Sequence, residues 1–222
     1  MPSSARTHQL KESLVYHIFN RGDDKRCLFH SDDDYQYFIN LFSDYAKTQE
    51  VVIYHWVLMP NHYHLLVEFK EPEKMSSMMA GLSRAYVHYC HKKYNFVGHL
   101  WQGRFKSQPI QKEFYIFSCG RYIERNPVKA NIVTNAWEYP YSSAAFYCCD
   151  KKDNLTNENP LFSAIFTNES AEQQKKYKEY LSAFNAEEEG LFRNMKGPCG
   201  SREFQKRLML NEGRFLPRRR GR

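Results

Sequence analysis

The hydrophobic pattern of this chain predicts an α+β fold with an antiparallel sheet, on three observations. Short apolar or alternating runs at 14–20, 51–59, 62–69 and 104–110 carry the two-residue period of strands. Longer stretches at 31–48, 74–94 and 113–125 repeat apolar residues three and four apart, as helices do. The two kinds interleave as strand, helix, strand, strand, helix, strand, helix. That is a split β-α-β plan, which a ferredoxin-like or RRM-like sheet covered by helices satisfies.

Each element has its own signal. Leu14 to Asn20 is a strand closed by the turn cluster Arg21-Gly22-Asp23-Asp24. Ser31, with acids behind it, offers an N-cap to a helix marked by Tyr35, Phe38, Ile39, Phe42 and Tyr45. Val51–Met59 and the strand from His62 are joined at Pro60-Asn61 and resemble a hairpin. Pro72 ends that strand, and Met75, Met78, Met79, Leu82, Ala85, Tyr86 and Tyr89 mark the next helix, whose methionines read as core filler. Residues 95–103, with Gly98 and Gly103, form a loop, and Pro109 places the following strand near a sheet edge. Phe114, Phe117 and Tyr122 are the bulky residues of the third helix.

Beyond Tyr139-Pro140-Tyr141 the character changes. Asp150 to Pro160 is polar and irregular, a linker or surface loop. Ser170-Ala171-Glu172-Gln173 reads as a capping box opening a helix to about Phe184. Arg202 to Leu210 reads as one more short helix, followed by a disordered tail ending Pro217-Arg218-Arg219-Arg220-Gly221-Arg222. The expected division is a unit over 1–148 and a helical extension with a basic tail over 149–222.

Composition narrows the class. The 222 residues are 42% hydrophobic and 16% aromatic, enough for a core. No run reaches the ~18 apolar residues of a membrane span, and Met1 to Arg6 lack a secretory apolar stretch. The six cysteines (27, 90, 119, 148, 149, 199) form no C-x-x-C pair, which points to reduced thiols in the cytoplasm. Eight of the 32 Lys/Arg and two of the 25 Asp/Glu fall in 201–222, leaving 24 against 23 in the first 200 residues. A nearly neutral body with a basic tail suits a polyanion partner, of which nucleic acid is the usual one.

The candidate chemistry centres on His62-Tyr63-His64. In a strand these imidazoles share a face about 6–7 Å apart and can converge on one ion, while Tyr63, Leu65, Val67 and Phe69 face the core. Alone, such a pair is more often two ordinary half-exposed strand residues. Two histidines also leave a divalent ion wanting further oxygen ligands. Tyr122 and Asn126, four apart on one helix face, offer a phenolic nucleophile and a carbonyl oxygen. The plainer readings are a buried aromatic, since there are 16 tyrosines, and an N-cap before Pro127.

Three linked motifs carry a resemblance that spacing alone does not. "LMPNHYHLLVE" around His62, "GHLWQGRFKS" at 98–107 and "RYIERNPVKANIV" at 121–133 resemble the REP-associated tyrosine transposases of the HUH single-strand transposase superfamily. "YHIFNRG" at 16–22 and "YPYSSAAFY" at 139–147 also fit, so the resemblance covers roughly 13–145. It implies a bacterial, nucleoid-associated enzyme holding Mg²⁺ or Mn²⁺ at His62 and His64, with Asn126 at the third-ligand position and Tyr122 as nucleophile. The implied reaction is transesterification on single-stranded hairpin DNA through a 5′-phosphotyrosine. Related transposases form dimers that exchange the tyrosine helix, so a homodimer is one state the resemblance allows. For grip on DNA, Arg84, Lys92, Lys93, Arg104 and Lys106, with Trp101 and nearby tyrosines, offer charge and stacking rings. The tail residues Arg218, Arg219, Arg220 and Arg222 resemble part of an AT-hook and equally a generic basic tail.

Two rivals stand beside this. His62-x-His64-x₃-Glu68 matches the middle of the cupin metal motif, but Trp56 and Met75 occupy the positions of its flanking glycines and the helices contradict an all-β barrel. A non-catalytic binder of structured DNA or RNA is the stronger alternative, to be separated by whether a covalent protein–DNA adduct forms.

Overall fold

The structure is a computed structural model that describes residues 14–167, 169–195 and 197–212. Four strands form one sheet in the order β2-β3-β1-β4, with β1 Leu14–Arg21, β2 Val51–Met59, β3 His62–Phe69 and β4 Lys106–Ile110. All three pairings are antiparallel. α1 Asp32–Thr48 connects β1 to β2, and α2 Lys74–Tyr94 connects β3 to β4. This is the ferredoxin-like order predicted above, and helices α3 to α9 follow it: Lys112–Glu124, Asn126–Lys129, Ala144–Cys149, Phe162–Phe166, Ser170–Ser182, Ala186–Asn194 and Arg202–Glu212.

Alternation along the strands sorts side chains into two cores. On one face Tyr16, Ile18, Leu58, Tyr63, Leu65, Val67 and Phe69 pack with Phe38 and Phe42 of α1 and Met75, Met79, Leu82 and Tyr86 of α2. On the other, Val15, Val57, Met59 and Leu66 pack with Ile116, Phe117 and Ile123 of α3 and with Tyr147, Tyr177 and Phe192 further on. The methionines of α2 are core, as expected. At ~25 cal/mol per Å² of apolar surface, a fully buried ring such as Tyr63 contributes on the order of 2 kcal/mol. A register shift between Ile53 and His55 makes β2 bulge, so that Tyr54 and His55 both turn toward the α3 layer.

The helix start at α1 follows the sequence, and that at α7 does not. Asp34, in the first turn of α1, accepts from the N–H groups of His30 (2.7 Å) and Ser31 (3.1 Å), closing the predicted cap. The predicted box at 170–173 does not form: α7 starts one residue after Glu169, and Gln173 donates instead to the carbonyl of Thr167 at 2.7 Å. β4 begins at Lys106, two residues later than predicted, because Gly103 takes φ +126° and turns the chain just before it.

Both outer strands are covered by chain that comes later. Along β2, Leu58 N–H donates to Tyr141 O (2.9 Å), Ser143 N–H to Trp56 O (3.0 Å) and Asn157 N–H to Ile53 O (2.7 Å). The polar stretch 150–160 is therefore a packed surface loop at its 156–159 end, where Thr156 also accepts from the Trp56 indole at 2.9 Å. Along β4, Cys199 N–H donates to Pro109 O and Gln111 N–H to Cys199 O, both at 2.8 Å. Part of each outer edge is thereby paired.

Candidate active site

β1 and β3 run side by side with Phe19 opposite His64 and Arg21 opposite His62. Alternation sends His62 and His64 to the α3 side of the sheet, away from the Tyr63 core. α3 lies against this face through Ile116, Phe117, Cys119, Gly120 and Ile123. Gly120 permits the approach, since a Cβ there would sit 2.7 Å from the His55 ring. The helix so placed presents Tyr122 edge-on to His64, with ring centroids 5.6 Å apart at 88°, and to His17 at 5.7 Å and 75°. His62 and His64 are themselves 5.3 Å apart.

Asn126 has a different local job from the predicted N-cap. Its Nδ2 donates to the carbonyls of Tyr122 (2.9 Å) and Ile123 (3.0 Å), capping the end of α3. With the amide nitrogen committed, Oδ1 is the end left toward His62, where it favours the protonated imidazole. An open cavity of about 310 Å³ is lined by His62, His64, Tyr122 and Asn126, by the cations Arg21, Lys106, Lys129 and Arg193, and by Phe19, Phe192, Asn194 and Met195.

Burial decides the protonation of the site. It lowers the His62 pKa to about 4, opposed by Asn126 and helped by Arg21 and Lys129. It lowers His64 well below its usual value, with further repulsion from His17, His62 and Lys129. The Tyr122 phenol is pushed up to about 12 by burial and then by Cys119, with Arg193 pulling the other way. At neutral pH the pocket therefore holds two uncharged imidazoles and a protonated phenol under a ring of cations.

These groups suit a cation. Neutral imidazole nitrogen and an amide oxygen are lone-pair donors with no proton to share between them. Among the described residues no group of three or more His, Cys, Asp or Glu side chains gathers as a metal site; His62, His64 and Asn126 together would offer a mixed nitrogen and oxygen set. Such a set leaves coordination positions for water or a phosphate oxygen.

The other predicted residues are dispersed. Lys106 lines the cavity, while Arg84, Lys92 and Lys93 are exposed on α2, in the layer across the sheet. The Lys93 ammonium is held by buried Asp34 at 2.7 Å. Trp101 packs edge-on against Tyr63 (5.7 Å) and donates its indole N–H to Ser83 O, and Arg104 is exposed just before β4. Arg218, Arg219, Arg220 and Arg222 lie outside the described residues. Sequence reasoning missed His17, Gln108 and the segment Phe192–Met195. For that segment a signal existed: Asn185 ahead of Glu187, Glu188 and Glu189 is a helix start, and its side chain accepts from the N–H groups of Glu187 and Glu188.

Residues 10–126 match the family model described as "Transposase IS200 like". No curated protein matches the chain. A solved structure of a REP-associated tyrosine transposase bound to a REP hairpin superposes with a TM-score of 0.55 at 20% identity, covering 71% of this chain and 92% of that one. A proposed transposase from Deinococcus radiodurans R1 aligns with a TM-score of 0.38 at 15% identity, over 60% of this chain and 92% of that one.

Proposed function

Because this chain belongs to the IS200-like transposase family, we propose that it is a REP-associated tyrosine transposase that cuts and rejoins single-stranded DNA at hairpin-forming palindromes. The observation that carries the reading is the single-chain meeting of Tyr122 with His64, 5.6 Å between rings, on a cavity that also holds His62 and Asn126.

In this reading Tyr122 Oη attacks the phosphorus of a scissile phosphodiester. The P–O3′ bond breaks, its electron pair leaves with the 3′ oxygen, and the phenolic proton is lost to solvent as the 3′ oxygen gains one. The products are a 5′-phosphotyrosine and a free 3′-OH, and the reverse attack by another 3′-OH rejoins DNA without a nucleotide cofactor. His62, His64 and Asn126 would hold Mg²⁺ or Mn²⁺, which when bound polarises the phosphate and eases departure of the 3′ oxygen. The chain's own cations do the rest. Arg193 favours the phenolate of Tyr122, while Arg21, Lys106 and Lys129 line the same cavity, where the phosphate backbone would pass. Cutting is thus assigned to the unit over 1–148, and the 149–222 extension contributes Arg193 to the cavity and its basic tail to the DNA.

The test is a covalent-adduct assay with labelled single-stranded hairpin DNA and Mn²⁺. A slow-migrating protein–DNA band should form, and both Tyr122→Phe and chelation should abolish it. Tight hairpin binding with no band on any cognate hairpin would make the chain a non-catalytic DNA-binding module instead.

A further inference from the structure

Each histidine of the pair is hydrogen-bonded through Nδ1 to a neighbouring side chain, Asn61 for His62 and His17 for His64. His62 Nδ1 lies 2.6 Å from Asn61 Oδ1, and Asn61 Nδ2 donates to Lys25 O at 3.2 Å. A carbonyl can only accept, so the Asn61 amide cannot be turned round without setting two oxygens face to face. His62 must then carry its proton on Nδ1, leaving the Nε2 lone pair for the cavity.

The arrangement at His64 is longer and fully buried. His64 Nδ1 lies 2.8 Å from Nε2 of His17, which is 0% exposed on the neighbouring strand β1. One strand further, Gln108 of β4 stands opposite His17 in the register. Gln108 donates its Nε2 to Gly197 O at 2.9 Å, so Oε1 is the end left toward His17, whose protonated form it favours. His17 Nδ1 and Gln108 Oε1 are both buried without a hydrogen-bond partner within bonding distance. One set of proton positions turns a donor toward every acceptor along the row. Gly197 O accepts from Gln108, His17 turns its Nδ1–H toward the lone pairs of Gln108 Oε1, and His17 Nε2 accepts from His64 Nδ1–H.

We propose that His17 and Gln108 are positioning residues that hold His64 in the Nδ1–H tautomer, with Asn61 doing the same for His62, so that both imidazoles present Nε2 lone pairs to the cavity. Partners behind metal-binding histidines commonly fix tautomer and ring orientation in this way. The purpose of the row rests on the metal-binding reading above, but the tautomer itself can be measured without metal.

Nitrogen-15 NMR of the imidazoles in the metal-free protein should show His62 and His64 protonated on Nδ1. Gln108→Leu keeps the volume but removes the amide, and should leave His64 a mixture of tautomers while His62 is unchanged. By calorimetry the same variant should bind Mn²⁺ about tenfold more weakly, with its circular dichroism intact. A wild-type His64 protonated on Nε2 overturns the inference whether or not Mn²⁺ binds, and decides it even if the variant does not fold. An unchanged His64 tautomer in folded Gln108→Leu also overturns it. Mn²⁺ affinity indifferent to His64→Ala would instead overturn the metal reading, leaving the tautomer measurement to stand by itself.

Discussion

Two histidine clusters lie on the same side of the sheet, served by the same helix, and they have opposite chemistry. Glu124 of α3 is wholly buried and accepts from His55 Nδ1 (2.8 Å) and Ser143 Oγ (2.6 Å) on one oxygen and from Tyr177 OH (2.8 Å) on the other. His55 stacks on Tyr147 with rings 4.6 Å apart, and nothing opens to solvent. Two residues earlier on α3, Tyr122 faces His62 and His64, which have no carboxylate between them and open on the cation-lined cavity. A buried carboxylate collects every donor within reach and ties β2, α3, α5 and α7 together. A buried imidazole pair without one keeps its lone pairs for a ligand. Burial alone does not mark a site; what separates the two clusters is a carboxylate that holds the ring in the closed one, where His55 Nε2 is left unpartnered with nowhere for a ligand to enter, and an opening to the cavity in the other.

Breaking each cluster should therefore show in a different measurement. The largest effect belongs to the open one. His62→Ala should lower adduct formation on hairpin DNA by ~10³-fold or more, while the urea midpoint stays within ~1 kcal/mol of wild type. Next, Glu124→Ala should cost about 3–5 kcal/mol in urea denaturation, because His55, Ser143 and Tyr177 lose their shared partner. Gly120→Ala strikes both clusters: its Cβ would meet the His55 ring at 2.7 Å and push α3 outward. It should cost about 1–3 kcal/mol and also slow adduct formation through the displaced Tyr122.

The most gradual effect is on pH. Burial lowers His17 to about 3 and His62 to about 4, against about 6.5 when unfolded. Between those values the unfolded chain binds more protons than the folded one, so stability falls as the pH drops below about 6.5 and levels once the folded values are passed. Each histidine contributes at most ~1.4 kcal/mol per pH unit. Denaturation midpoints of wild type and His62→Ala between pH 7 and 4 should diverge in slope by that one group.

What could be read from the sequence follows from how local each signal is. The strands, the hairpin at Pro60-Asn61 and the three long helices rest on periodicities within single elements, and the structure has them within two residues of their expected bounds. The pairing of His62 with His64 is likewise local. His17 was visible only as one letter of a strand, because its meaning comes from His64, 47 residues away, and from Gln108 across the next strand. The bulge that turns His55 toward Glu124 is a register event with no mark in composition. The approach of Phe192 to Tyr122, 5.7 Å between rings, depends on where α8 docks, which no window of its own sequence states.

The covering of the sheet by later chain sets an order on synthesis. A ribosome that has released residues through 110 has released every strand, yet β2 still awaits residues 141–157 and β4 awaits Cys199. During that interval a nascent chain holds a completed sheet with two bare rims, each able to recruit a strand from a neighbour on the same message. Translation speed across the second half of the gene thus bears on how much of this protein reaches its finished fold.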